Sequence, residues 1–257
     1  MAAANHRLVD VHAHICDSRF DADRDAVMAR AVRSGICAII GVGENLSDGL
    51  KNRELSDKYP ILKPAAGLYP THLDLDLAAE MAEFIRQNRS RLVAIGEAGL
   101  DFWAIKEDAQ KEIQREIFKQ FILLSNELNL PLNIHSRSAG RHAIAMLLAN
   151  NANRVQLHAF DGNIGSAMPA VDAGYLFSIP PSIVRSRQKQ KLVKQLPLSC
   201  LLVETDSPVL GPDPQTRNEP ANLTVSIRAI AQLKSVKEEA VLEAVAENTA
   251  RLYPALC

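Results

Sequence analysis

The feature that most constrains this chain is an eightfold alternation of two periodicities. Short β-branched or apolar runs recur at 8–12, 36–42, 62–68, 92–97, 132–135, 155–158, 175–179 and 200–205. Between them lie longer segments with apolar residues at helical spacing and charges on the other side, as in 25–34, 139–148 and 109–127, where Ile113, Ile117, Phe121 and Leu124 share one face. Gly35 follows the first helical segment where a C-cap glycine belongs. Strands separated by helices must pair in parallel through right-handed crossovers, and eight such units in about 250 residues is the arithmetic of a (β/α)8 TIM barrel. A doubly wound open sheet is the competing fold. It calls for a glycine-rich turn after the first strand to hold a dinucleotide, whereas here that strand runs into His12-Ala13-His14. No linker divides the sequence, so 1–257 reads as a single barrel domain, closed after Pro220 by one or two helices.

With 47% apolar and 23% charged residues, the chain falls outside the disordered and low-complexity classes. Lys and Arg number 29 against 30 Asp and Glu, so there is no global field to hold a polyanion. Any nucleic-acid contact must come from a local basic groove. Cys16, Cys37, Cys200 and Cys257 are far apart and form no paired motif, which reads as a reducing compartment. The first residues lack a signal-peptide pattern and no apolar run reaches about 18 residues, so the expected location is intracellular, cytoplasmic or nuclear, with no membrane association.

His12 and His14 lie two residues apart at the carboxyl end of the first strand, where alternation puts both on one face and lets them grip one cation. A strand-end histidine is more often a hydrogen-bonded core or rim residue, so the pair alone decides little. Other strand ends deliver similar donors: Glu97 after the fourth, His135 after the fifth, His158 after the sixth and Asp206 after the eighth. In a barrel those ends form one mouth, where all six donors converge. Asp206-Ser207-Pro208 also has the form of a helix N-cap following a strand. His6 and His142 have no partner in this pattern and read as structural or solvent-exposed.

The strings LVDVHAHI, AIGEAGLDF, NIHSR, LHAFDG and ETDSP, in that order and spacing, resemble the TatD family of metal-dependent deoxyribonucleases, from Leu8 to the final helix. HSRSAGR, FSIPPSI, RQKQKLVKQLPL and RNEP resemble one branch of it, the third TatD-domain-containing paralogues. The resemblance implies a TIM barrel with two divalent cations that hydrolyses phosphodiester bonds in DNA, as a 3′ to 5′ exonuclease. By position it gives His12, His14 and Asp206 to one metal, His135 and His158 to the other, and Glu97 to both. Donor chemistry agrees, because a carboxylate has two oxygens for two cations while a neutral imidazole has one lone pair for one. Related hydrolases that bridge their metals through a carboxylated lysine fit less well, since no lysine lies between Arg91 and Ala104. Glu97 and Asp206 are thus the catalytic candidates, with Asp206 as base for a metal-activated water. Arg137 has the planar fork that suits a phosphate, although a lone loop arginine is ordinarily a solvated charge. Asp101 reads as an acceptor that orients a ligating histidine, or as a plain turn residue.

Where the family carries Gly-x-His-Pro after the third strand, this chain has Gly67-Leu68-Tyr69-Pro70. Tyr69 can donate a hydrogen bond to substrate or stack on a base, but it carries no positive charge near neutral pH. His72 lies in the same loop and offers a substitute. Arg185, Arg187, Lys189, Lys191 and Lys194 form a basic run that reads as a nucleic-acid track or as the wet face of a helix whose buried stripe is Ile183, Val184, Leu192, Val193 and Leu196. For Lys191 and Lys194 the wet face is the stronger reading. Four imidazoles favour zinc, manganese or iron, while nuclease activity in such families goes with magnesium. The expected cofactors are therefore two divalent cations, Mg or Zn with Mn as a third choice; DNA is the expected substrate and a monomer the default state. Two other functions stay open. One is amide or ester hydrolysis by the same metal-activated water, as in an aminoacyl-tRNA deacylase, and the other is a non-catalytic metal-bound barrel scaffold.

Overall fold

Each of the eight runs forms one parallel strand, and the strands pair in sequence order in one sheet. In the computed structural model, which describes residues 8–256, they are β1 (Leu8–Ala13), β2 (Ile36–Gly41), β3 (Leu62–Ala66), β4 (Ala94–Gly99), β5 (Leu132–His135), β6 (Val155–His158), β7 (Leu176–Ile179) and β8 (Leu201–Val203). His6 and Cys257 lie outside the described residues. Helices α1 (Arg24–Arg33), α2 (Leu46–Lys58), α3 (Leu75–Gln87), α4 (Asp108–Leu128), α5 (Gly140–Ala149), α6 (Ile164–Asp172) and α7 (Arg187–Gln195) each follow a strand. The closing helices are α8 (Leu223–Lys234) and α9 (Glu238–Leu252). Strand residues are buried apart from the half-buried Cys37 and Lys63, because one face of the sheet lines the barrel and helices cover the other. The face read on α4 is the buried one, with Ile117, Phe121 and Leu124 in the core and Ile113 packed at its edge. Gly35 takes φ +85° just beyond α1, the left-handed stop that its position called for.

Three details depart from the sequence reading. Glu97 lies inside β4, whose ladder continues to Gly99. Gly99 is paired with His135 and has φ +146°; a Cβ there would sit 2.0 Å from the His135 carbonyl oxygen. Only glycine lets the two strand ends approach so closely, and that approach sets Glu97 beside His135. Second, Asp206-Ser207-Pro208 does not open a helix. Asp206 has φ +53°, its N–H donates to the His12 carbonyl (2.9 Å) and its own carbonyl accepts from Val209 N–H (2.9 Å), so the chain turns across the barrel mouth. Together with His14 N–H to Ser207 O (2.8 Å), these bonds close the ring between the end of β1 and the segment after β8. Third, Val184 lies on the turn before α7 and is exposed, leaving Ile183, Leu192, Val193 and Leu196 as the buried stripe.

Ring closure also depends on a buried carboxyl group. Asp10, fully buried on β1, accepts Thr205 N–H (2.8 Å) and His12 N–H (3.3 Å) on Oδ1, and the Thr205 hydroxyl (2.5 Å) on Oδ2. Burial outweighs these donors and pushes its carboxyl up to about 8. Replacing Asp10 by Ala leaves the buried Thr205 and His12 N–H groups without this acceptor, at about 1–3 kcal/mol for such a group, while the Thr205 hydroxyl keeps Ser207 Oγ at 3.0 Å. Asp10→Ala is therefore expected to lower the unfolding free energy by at least about 2 kcal/mol, read as a shift of the urea midpoint at unchanged slope. An unshifted midpoint would mean that the ring closes without this tie.

Candidate metal centre and active site

The six donors read from the strand ends meet at the carboxyl end of the barrel. Glu97 stands between two histidine pairs. Its Oε2 is 3.3 Å from His14 Nε2 and 3.7 Å from His12 Nε2, while its Oε1 is 2.6 Å from His135 Nδ1 and 3.4 Å from His158 Nε2. Asp206 joins the first pair, with Oδ1 3.4 Å from both His12 Nε2 and His14 Nε2. His12 and His14 bring their Nε2 atoms within 3.3 Å of each other, as two residues on one strand face should. Two trios, His12/His14/Glu97 and Glu97/His135/His158, each gather their donor atoms within 4.8 Å, close enough to hold a cation. A third, His12/His158/Glu204, is as compact, but the Glu204 oxygens already accept Ala159 N–H (2.9 Å) and the Ser178 hydroxyl (2.5 Å).

The outward nitrogens of three histidines are held from behind. Asn133 donates its amide N–H to Val11 O (2.9 Å), which fixes its Oδ1 toward His12 Nδ1 (2.8 Å). His12 therefore donates at Nδ1 and turns the Nε2 lone pair inward. Asp101 Oδ2 lies 3.0 Å from His135 Nε2, the orienting role read for it, and Glu204 Oε1 lies 3.3 Å from His158 Nδ1. Such outer acceptors are how proteins set the tautomer and basicity of metal-binding imidazoles.

Electrostatics favour positive charge at this point. Burial opposes ionisation of Glu97, but His135, His14 and His158 outweigh it and hold the carboxyl well below the usual range. Burial likewise opposes ionisation of Asp206, and its contacts with His12 and His14 reverse that. Burial works against protonation of His14, yet Asp206 and Glu97 raise it to about 10; Glu204 and Asp206 raise His158, and Glu97 raises His135. A buried cluster that draws protons so strongly also draws divalent cations, and the donor set of four imidazoles and two carboxylates suits them.

A cavity of about 420 Å³ opens above the cluster. Arg137 and Tyr69 line it, with Glu44, Asp161 and Lys189. The Tyr69 ring packs edge-on to His135 with centroids 4.9 Å apart, and burial pushes its phenol up, so it stays a neutral donor. The Arg137 guanidinium lies 3.6 Å from the Trp103 ring centroid. His72 does not line this cavity; His142 is exposed on α5, its ring 5.1 Å from Phe102. The basic run divides. Lys189 is buried with Nζ on Ala159 O (2.6 Å), whereas Lys191, Lys194 and Arg187 are exposed on α7. Arg185 joins Arg19 and Arg217 along a second cleft that shares Val209 and Leu210 with the first.

The sequence reading passed over Asn133, Glu204 and Asp10, though a signal for them was present. Each stands two residues before a donor, so the alternation that linked His12 to His14 places it on the same face, one step deeper in the barrel. Glu44 carried no such signal, because a loop brings it to the cavity, and Lys189, read as part of the basic run, reaches the cavity from α7.

Comparison with known proteins follows the same outline. The sequence profile of the family described as TatD related DNase matches residues 9–254. The chain is 45% identical to the human protein named Deoxyribonuclease TATDN3, across 100% of this chain and 98% of that one. It is 34% identical to a Methanocaldococcus jannaschii protein named an uncharacterized metal-dependent hydrolase, covering 96% and 97%. Among solved structures, the Escherichia coli TatD homologue YJJV superposes with a TM-score of 0.89 at 25% identity, covering 97% of this chain and 99% of that one.

If Glu204 orients His158, removing its charge should loosen that nitrogen's grip. Glu204→Gln is expected to weaken binding of one equivalent of divalent metal by about 10–100-fold, measured by competition with a chromogenic chelator. Equal affinity in the variant assigns Glu204 to packing alone.

Proposed function

The chain belongs to the TatD related DNase family, and from that membership we propose that it is a two-metal hydrolase of phosphodiester bonds in DNA. The observation that carries the two-metal reading is the division of Glu97, one oxygen toward His12 and His14 and the other toward His135 and His158. His12, His14 and Asp206 would hold one cation, His135 and His158 the other, and Glu97 both. DNA as substrate is supported by the name of the human relative and by Arg19, Arg185 and Arg217 along the neighbouring cleft. A space of about 420 Å³ suits one nucleotide at a strand end, in keeping with exonuclease action of 3′ to 5′ polarity as the family resemblance implies.

When bound, the cations supply Lewis acidity and a water nucleophile at neutral pH. The chain's own groups do the rest. Asp206, kept ionised by His12 and His14, orients the attacking water and accepts its proton on a carboxylate oxygen. Arg137 offers a bidentate fork to two phosphate oxygens, since among the described residues its N–H groups meet no acceptor. Tyr69 donates its hydroxyl as a neutral group, leaving Arg137 and Lys189 as the cations of the wall.

Three variants test the reading. Glu97→Ala is expected to lose metal from both positions, measured as metal per chain after dialysis; two equivalents retained would end the bridging role. Asp206→Asn should cut cleavage of a labelled single-stranded oligonucleotide by about 10²-fold or more at matched metal, with the fold intact by circular dichroism. Arg137→Lys should also slow cleavage, because a compact ammonium cannot reproduce the fork. Turnover of ester or amide panels with no cleavage of any oligonucleotide would replace the phosphodiesterase reading.

A further inference from the structure

We infer that Trp103 is a stacking platform for the nucleobase beside the phosphate that Arg137 holds, so that the Trp103–Arg137 pair grips one nucleotide by its base and its phosphate together. The inference rests on the phosphodiesterase reading and adds to it how the substrate is positioned. Trp103 is the only tryptophan in the chain, and 56% of it is exposed even though the Arg137 guanidinium lies 3.6 Å from its ring centroid. A large indole left open at the rim of a catalytic cavity is the kind of surface that a flat ligand covers.

Its position is fixed relative to the chemistry. Asp101 Oδ1 accepts Trp103 N–H (2.9 Å) and Ala104 N–H (2.7 Å), while its Oδ2 faces His135 Nε2 (3.0 Å). One buried carboxylate thus ties the loop that bears the indole to a histidine of the metal cluster. A second tie, Phe102 N–H to Arg137 O (3.0 Å), joins that loop to the one bearing the guanidinium. Arg137 lines the cavity above the cluster, and Trp103, which is not part of that lining, packs against its guanidinium. The guanidinium covers one face of the indole, so the base stacks on the face left open while the phosphate meets the fork on the ring's other side. Stacking tolerates every base, so this platform does not select among sequences.

The test uses the metal-loaded full chain and two single-stranded oligonucleotides, one ordinary and one with a base-free spacer at the nucleotide beside the scissile bond. Trp103→Ala should raise KM for the ordinary strand about tenfold with kcat within about twofold, as loss of one stacked base predicts, and Trp103→Phe should recover most of the loss. The base-free spacer should raise the wild-type KM by a similar factor and leave that of Trp103→Ala unchanged. In Asp206→Asn, indole fluorescence should be quenched by the ordinary strand and not by the spacer strand. If removing the base costs Trp103→Ala as much as wild type, or if Trp103→Ala lowers kcat alone, the ring only buttresses Arg137 and the inference is wrong while the hydrolase reading stands. A wild-type protein that neither binds nor cleaves the ordinary strand with any divalent metal overturns the phosphodiesterase reading, and the inference with it.

Discussion

Glu97 holds a carboxylate at 2% exposure, with four imidazole nitrogens between 2.6 and 3.7 Å from its oxygens. An unpaired charge at that depth is prohibitively expensive, so the rest of the mouth has to supply counter-charge and hydrogen bonds in fixed places. That requirement accounts for the local irregularities of the barrel. Gly99 gives up its side chain so that β4 can close on His135, and the segment at Asp206 turns back onto β1 instead of running into a helix. The centre is held by its neighbours' geometry and in turn holds the strand ends together.

Beneath the donors lies a buried polar layer that an apolar barrel core would not contain. Asp10, Asn133, Gln156 and Ser178 are fully buried strand residues, and Glu204 follows β8 directly. Each finds partners: Gln156 donates to Ser178 Oγ (2.9 Å) and accepts the Tyr253 hydroxyl (2.6 Å), and Ser178 donates to Glu204. Low dielectric makes such a network strong when complete and costly when broken, which suits a layer whose task is to hold imidazoles at one angle. The rim is built on the opposite principle. Arg137 and Trp103 are exposed and pack against each other, yet Asp101 connects that open pair to the buried cluster.

Much of this was legible in the chain. The number and order of strands, the long face of α4, the stop at Gly35 and the gathering of six donors follow from period-2 and period-3.6 patterns together with the rule that a parallel barrel puts its carboxyl ends at one mouth. Asn133 and Glu204 were within reach of the same alternation, carried one step deeper. The extent of β4 was not, because an interior strand end in Gly-Glu-Ala-Gly has no polar boundary to mark it.

What the sequence determined by itself is therefore which residues face inward at the mouth, since side-chain direction along a strand is a local property of the backbone. What only the tertiary structure decided is which atoms meet. The split of Glu97 between two histidine pairs, the burial of Lys189 against Ala159, the union of Arg185 with Arg19 and Arg217, and the stacking of Arg137 on Trp103 all join residues from different strand, loop or helix segments. Such contacts depend on the stagger and tilt of neighbouring strands and on loop paths, which are set by packing over the whole barrel and leave no periodic trace in any one segment.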